Sequence, residues 1–99
     1  MKRTLIQYKA KPDRADQNET LIKAVFEELH AKAPDGVRYL ALRLADGAFV
    51  HLVETSEGGF SVPSLTAFRA FQTGIPERTI EPPRSNEVTI VGNYRMLAG

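Results

Sequence analysis

The chain has 99 residues, of which 42% are hydrophobic and 25% charged, with a formal net charge of +1 and no cysteine. This length supports one modest core and a single domain over residues 1–99, while the charge favours no polyanionic partner and the lack of cysteine excludes disulfides and thiolate chemistry. No apolar run follows Lys2-Arg3, so we expect a cytoplasmic protein with neither a signal peptide nor a membrane span.

The first half of the chain reads as a strand followed by a helix. Residues 4–11 alternate in the manner of a strand, which Pro12-Asp13 ends, and Asp13 can cap the following helix. From residue 15 to residue 33, apolar side chains recur every three or four positions, which predicts a helix with one apolar face. Its apolar residues are Leu21, Ile22, Val25, Phe26, Leu29 and Ala33.

The second half adds a hairpin, a helix and a strand. Residues 37–45 and 48–55 read as strands joined by a tight turn at Asp46-Gly47. A second helix is predicted over residues 64–74, Pro82-Pro83 is expected to close this region, and a last strand is predicted over residues 87–97. The order predicts an α+β, ferredoxin-like βαββαβ fold, a four-stranded antiparallel sheet with two helices on one face.

This predicted fold leaves one face of its sheet without cover. Leu5, Val91 and Leu97 lie on strand faces that alternate with the helix-packed rows. An uncovered apolar face in so small a chain needs a partner. A second copy related by a two-fold axis would supply one, so we expect a homodimer.

Four segments of the chain resemble the dimeric α/β-barrel superfamily: YKAKPDRADQNETLIKAVFEEL, RYLALRLADGAFVHLVE, LTAFRAFQTGI and EVTIVGNYR. Within it, the chain is similar to the antibiotic-biosynthesis-monooxygenase-like proteins, small bacterial proteins of about this length. The resemblance implies two sheets facing each other in a dimeric barrel, with the last segment in dimer contacts and ligands between the sheet and helices or within the barrel. It also implies a range of roles, including cofactor-free oxygenation of aromatic compounds and haem degradation.

The sequence departs from this family where its chemistry begins. Oxygenating and haem-degrading members typically use a tryptophan, and this chain has none. Many members carry a histidine toward the end of the second helix, where this chain reads AFRAFQTGIPER. We therefore transfer no catalytic residue. Two functions stay open, namely cofactor-independent oxidation or binding of a small aromatic or apolar compound, and a non-catalytic dimeric ligand-binding or structural role.

The position of His51 depends on the register of the hairpin. Three leucines alternate along its first strand and form what we name the leucine row: Leu40, Leu42 and Leu44. With a two-residue loop, His51 joins the leucine row; with a three-residue loop of residues 45–47 and a glycine bulge, it lies opposite Ala41 and joins Tyr39 and Arg43. We favour the second register, because it keeps an imidazole out of the leucine row.

A candidate ligand site follows from this register. A guanidinium under the helices would be desolvated without a partner, so we predict the leucine row beneath the helices and a polar cavity lining on the opposite face. That lining is predicted to be Gln7, Tyr39, Arg43, His51 and Asn93. His51 is either a proton-exchanging or haem-binding group or an ordinary hydrogen-bonded strand residue. Arg43 either binds an anionic substrate group or a carboxylate across the dimer, or is a strand arginine bonded to Glu54 or water. No residues have metal-ligand spacing, and no metal or cofactor is expected.

RNA-recognition modules share the predicted element order. Their third strand carries a basic-Gly-aromatic run that ends in Phe-Val-x-aromatic. Ala48-Phe49-Val50 matches its centre, but Ala45, Asp46-Gly47 and Leu52 stand where the basic residue, the glycine-aromatic pair and the final aromatic belong. We therefore predict no nucleic-acid partner.

Overall fold

The computed structural model describes residues 2–97. Its elements are β1 (Lys2–Ala10), α1 (Ala15–Lys32), β2 (Val37–Arg43), β3 (Ala48–Thr55), α2 (Thr66–Thr73), the short helix α3 (Ile75–Arg78) and β4 (Thr79–Glu87). The four strands form one antiparallel sheet in the order β2-β3-β1-β4. The helices cover one face of this sheet, which confirms the predicted ferredoxin-like arrangement. Across residues 2–97, no helix has the length and apolar character needed to cross a bilayer.

Helix α1 begins and ends close to its predicted limits. Its buried side chains follow helical spacing, with Asn18, Ile22 and Val25 facing the sheet. The predicted cap is wrong, because Arg14 rather than Asp13 occupies the N-cap position and no side chain caps this end. At the other end, Ala33 adopts a left-handed conformation, and its N–H donates to the carbonyl of Leu29.

The hairpin has the register that we favour from the sequence. Ala41 lies opposite His51, and the N–H of Leu44 donates to the carbonyl of Ala48 at 2.8 Å, which closes a three-residue loop. Gly47 has a φ of +88°, a value that glycine adopts without strain and other residues rarely adopt. This register puts Tyr39 and His51 on the same face of the sheet.

The predicted face of the leucine row is wrong. Leu40, Leu42 and Leu44 point away from the helices and are 40%, 52% and 42% exposed, whereas Tyr39 and Ala41 pack against the core beneath the helices. Arg43 lies on the helix-covered face, but its guanidinium is not desolvated without a partner. Arg43 is the last residue of β2, and its side chain extends toward the surface. There its Nη1 atom lies 3.0 Å from a carboxylate oxygen of Asp16 and 2.8 Å from one of Glu19.

The last strand is also misplaced in the prediction. β4 comprises Thr79–Glu87 and contains Pro82-Pro83, whereas residues 88–97 lie outside helix and strand. Gln7 pairs with Arg84 and Lys9 with Glu81, so β4 carries an extra residue there. An edge strand tolerates prolines at such a bulge, because the missing N–H groups interrupt the ladder only locally.

Helix α2 is held over the sheet by α1. A 3₁₀ turn at Val62–Ser64 precedes it, and the predicted helix over residues 64–74 is confirmed with a start two residues later. The N–H groups of Ala67 and Thr66 donate to the Glu28 carboxylate at 2.8 Å and 3.3 Å. The bond from Ala67, together with the nearby Lys32, lowers the pKa of Glu28. This contact holds α2 in place over the cavity described below.

Candidate functional site

A continuous line of side-chain hydrogen bonds runs through the interior. Arg78 Nε donates to Asn18 Oδ1 at 3.1 Å, and Asn18 Nδ2 donates to the Tyr8 hydroxyl at 2.8 Å. The Tyr8 hydroxyl lies 2.9 Å from His51 Nε2, and the Tyr39 hydroxyl lies 2.7 Å from His51 Nδ1. We name these five residues, which come from α3, α1, β1, β3 and β2, the polar relay.

Strand and helix periodicity bring the relay together. His51 pairs with Ile6 on one side and with Ala41 on the other, so Tyr8 and Tyr39, two residues along each neighbouring strand, share its face. Asn18 occupies a buried position of the α1 stripe and is fully inaccessible to solvent. The relay therefore lies between the sheet and its helices.

Burial keeps the three relay side chains on the strands, Tyr8, Tyr39 and His51, uncharged. It lowers the pKa of His51 to about 4 and raises the pKa of Tyr8 to about 12, against the opposing effects of Asn18 and Arg78. Burial also raises the pKa of Tyr39. Near neutral pH the imidazole and both phenols are thus neutral, and hydrogen bonding rather than charge determines their chemistry.

Arg78 anchors the far end of the relay. Its side chain is buried, donates from Nη2 to the Phe71 carbonyl at 2.6 Å, and lies 5.3 Å over the Phe71 ring. A Cβ atom at Gly74 would meet Arg78 Nη1 at 2.3 Å. A glycine at this position therefore lets the guanidinium pass close to the backbone.

A cavity of about 210 Å³ lies against the relay, beneath α2. Tyr8, Tyr39 and His51 supply its polar wall. The apolar wall consists of Ile6, Phe68, Phe71 and Ile75, and the exposed residues Gln72, Pro83 and Ser85 mark its open side. A second depression of about 500 Å³ shares Ile6, Tyr39 and Phe68 with this cavity. An apolar cavity of about 150 Å³ accommodates benzene, so this space fits a small substituted ring.

A larger groove of about 530 Å³ separates α1 from the edge of β2. Three of its charged lining residues bond to one another, because Glu19 contacts both Lys23 and Arg43. We place the candidate site at the smaller cavity, since three relay residues, Tyr8, Tyr39 and His51, line it.

The structure brings two of the five predicted site residues together, Tyr39 and His51. Arg43 shares their face but lies at the end of β2, with Asp16 and Glu19. Gln7 is exposed on the opposite face, where it pairs with Val50. Asn93 lies outside the sheet and bonds to the Met96 and Leu97 backbone. A ligand-binding role for these residues stays a prediction.

Sequence reasoning missed the other three members of the relay. Asn18 carries a usable signal, because it is a polar residue in register with the apolar stripe of Ile22 and Val25. Tyr8 alternates with Ile6 on the inward side of β1, and its hydroxyl there requires a partner. Arg78 carries no comparable signal, since it follows the helix break at Gly74 and Pro76. In residues 2–97, no group of three or more His, Asp or Glu side chains is placed to hold a metal ion.

The fold is that of known structures, although sequence comparison finds nothing. No protein-family model matches the chain, and no curated protein does. A candidate antibiotic biosynthesis monooxygenase from Bacteroides thetaiotaomicron superposes with a TM-score of 0.77 at 14% identity, covering 98% of this chain and 95% of the other. One from Nitrosomonas europaea gives 0.75 at 14% identity, covering 93% and 100%. The chain shares their fold.

A third structure extends this likeness. A protein of unknown function from Nitrosomonas europaea superposes with a TM-score of 0.69 at 20% identity, covering 99% of this chain and 96% of the other. The resemblance to antibiotic-biosynthesis-monooxygenase-like proteins is thus confirmed for the fold. Identities of 14–20% carry no residue roles across, so function has to be argued from the cavity.

Proposed function

We propose that this protein binds a small, uncharged, largely aromatic compound in the cavity beneath α2, held by a hydrogen bond to the polar relay. The observation that carries the proposal is the composition of the cavity, which Phe68 and Phe71 line together with Tyr39 and His51. Apolar walls with a few convergent polar groups are typical of small-molecule sites. A charged ligand is disfavoured, because the wall groups are neutral and Arg78 does not line the cavity.

Thermal unfolding with α-naphthol as the probe tests this proposal. A ligand that binds only the folded state raises the unfolding midpoint as its concentration increases. Ser85→Trp, at the open side of the cavity, should abolish the increase, whereas Thr20→Trp on the exposed side of α1 should retain it. An unchanged midpoint in the wild-type protein would contradict binding.

Oxidation of the bound ring is a second candidate function, supported by the names of the structural neighbours. In a reaction without a cofactor, the substrate itself reduces O₂. One α-naphthol and one O₂ give one para-naphthoquinone and one water. The low pKa of His51 makes its imidazole a weak base, which favours binding over turnover. An oxygen electrode combined with quinone absorbance separates the two functions, because a binding protein consumes no oxygen above the buffer rate.

We also propose that two copies pair through the sheet face that carries the leucine row. The centre of this face is apolar and, within residues 2–97, open to solvent, since Leu42 is 52% exposed and Leu5, Val50 and Leu52 lie beside it. Stable pairing requires about 1,000 Å² of buried surface in total. Residues 88–97 carry further exposed apolar side chains that could contribute to this area. These are Ile90, Val91, Tyr94 and Met96.

A further inference from the structure

The orientation of the Asn18 amide is fixed by its neighbour. An asparagine side chain presents a carbonyl oxygen at one end and an NH₂ group at the other, and the two ends are easily exchanged in a structure. The Arg78 guanidinium can only donate, so the end of Asn18 that it contacts must be the oxygen. The NH₂ end therefore faces Tyr8, and the Tyr8 oxygen accepts a hydrogen bond from it.

The remaining relay has one hydrogen more than its hydrogen bonds use. Two neutral phenols and one neutral imidazole carry one polar hydrogen each, while only two bonds join them, Tyr8 to His51 and His51 to Tyr39. If His51 carries its hydrogen on Nδ1, Tyr8 donates to Nε2, Nδ1–H donates to Tyr39, and the Tyr39 hydrogen is left over. If the hydrogen is on Nε2, both bonds reverse, and the Tyr8 hydrogen is left over.

We propose that Asn18 is a positioning residue that holds His51 in the Nδ1–H form, so that the Tyr39 hydroxyl is the donor presented to the cavity. The bonds then run in one direction from Arg78 to Tyr39, and hydrogen bonds so aligned strengthen one another. The alternative would place two donors on the Tyr8 oxygen and leave a free O–H on a side chain that is 4% exposed, which is costly. Tyr39 is half-buried and borders both the cavity and the adjoining depression.

This inference rests on the proposed function for its ligand and narrows the ligand class. A free O–H on Tyr39 requires a hydrogen-bond acceptor, such as the carbonyl oxygen of an aromatic ketone. We expect acetophenone, which only accepts, to bind the wild-type protein about tenfold more tightly than indole, which donates from its N–H.

The tautomer is tested without any ligand. The chain has two histidines, so a His30→Gln background leaves His51 as the only imidazole in a ¹⁵N spectrum recorded near neutral pH. We expect the hydrogen on Nδ1; a hydrogen on Nε2 would overturn the inference, and this result needs no further variant. Asn18→Asp turns the donor facing Tyr8 into an acceptor and should move the hydrogen to Nε2. Asn86→Asp, an exposed change of the same charge, should not.

The two probes complete the test. In Asn18→Asp the Tyr39 oxygen becomes an acceptor, so indole should bind more tightly than acetophenone. An unchanged order of affinity, or a hydrogen retained on Nδ1 in this variant, would contradict the positioning role of Asn18. Binding of neither probe to the wild-type protein would instead overturn the proposed function, and the imidazole spectrum would still decide the tautomer.

Discussion

The Tyr8 hydroxyl lies 2.9 Å from Nε2 of His51, although 43 positions separate the two residues in the chain. The bond joins the two central strands, β1 and β3, on the face that the helices cover. Tyr8 also stacks on Phe49 with ring centroids 5.6 Å apart. Because the polar contact is embedded in the aromatic core, a change to either partner affects the stability of the fold as well as the cavity.

Protonation of His51 should destabilise the folded protein. Its pKa is lowered to about 4 in the folded state from the ordinary value of 6.5, so the unfolded chain binds the proton more readily. The stabilisation is complete above pH 6.5 and decreases as the pH falls toward 4, by about 3 kcal/mol in total. Urea unfolding at a series of pH values measures it. His51→Gln should flatten this dependence and His30→Gln, at the surface, should not; equal slopes in all three proteins would refute the prediction.

The two tyrosines of the relay should differ in their contribution to stability. Tyr8→Phe leaves buried groups of Asn18 and His51 without a partner, which costs about 1–3 kcal/mol. Tyr39→Phe leaves a single buried group, Nδ1 of His51, without a partner, and we expect a smaller loss of about 1 kcal/mol. Denaturant unfolding of both variants gives the comparison, and a larger loss for Tyr39→Phe would reverse our order.

A methyl group at Gly74 should disturb the anchor of the relay. Gly74→Ala places a carbon 2.3 Å from Arg78 Nη1, so the guanidinium must move from its bonds to Asn18 and Phe71. Weakening hydrogen bonds of a charged group should lower the free energy of unfolding by about 1–2 kcal/mol. Gly92→Ala is the control, since a Cβ there meets no atom within 4 Å. The same free energy for both variants would argue against an anchoring role.

A charge in the leucine row should separate the proposed dimer. Leu42→Glu would bury a carboxylate in an apolar interface, at a cost that side-chain rearrangement cannot recover. Light scattering at micromolar concentration should give twice the chain mass for the wild-type protein and the single-chain mass for Leu42→Glu. Ala24→Glu, on the exposed side of α1, should remain a dimer. A monomeric wild-type protein would rule out the pairing.

The sequence predicts the elements better than it predicts their environment. Periodicity and the turn at Gly47 determine α1, the hairpin and its register, because these depend on neighbouring residues. The partners that make a guanidinium acceptable on the helix-covered face, Asp16 and Glu19, lie 27 and 24 positions away from Arg43, and a strand pattern cannot reveal them. The polar relay could not be predicted for the same reason, because its hydrogen-bonded members Asn18 and Arg78 are 60 positions apart in the chain.

Pro82 and Pro83 have a consequence for self-association. Neighbouring molecules can join by adding a strand to an exposed sheet edge, where unpaired N–H and C=O groups form a template. At the β4 edge, Pro82 and Pro83 lack the backbone N–H groups that a further strand would bond to, and the bulge interrupts the regular spacing of the edge. β2 forms the other edge and contains no proline. Intermolecular strand addition, the first step of many aggregation reactions, should therefore occur at β2 rather than at β4. We expect charged substitutions along β2 to reduce aggregation at high protein concentration.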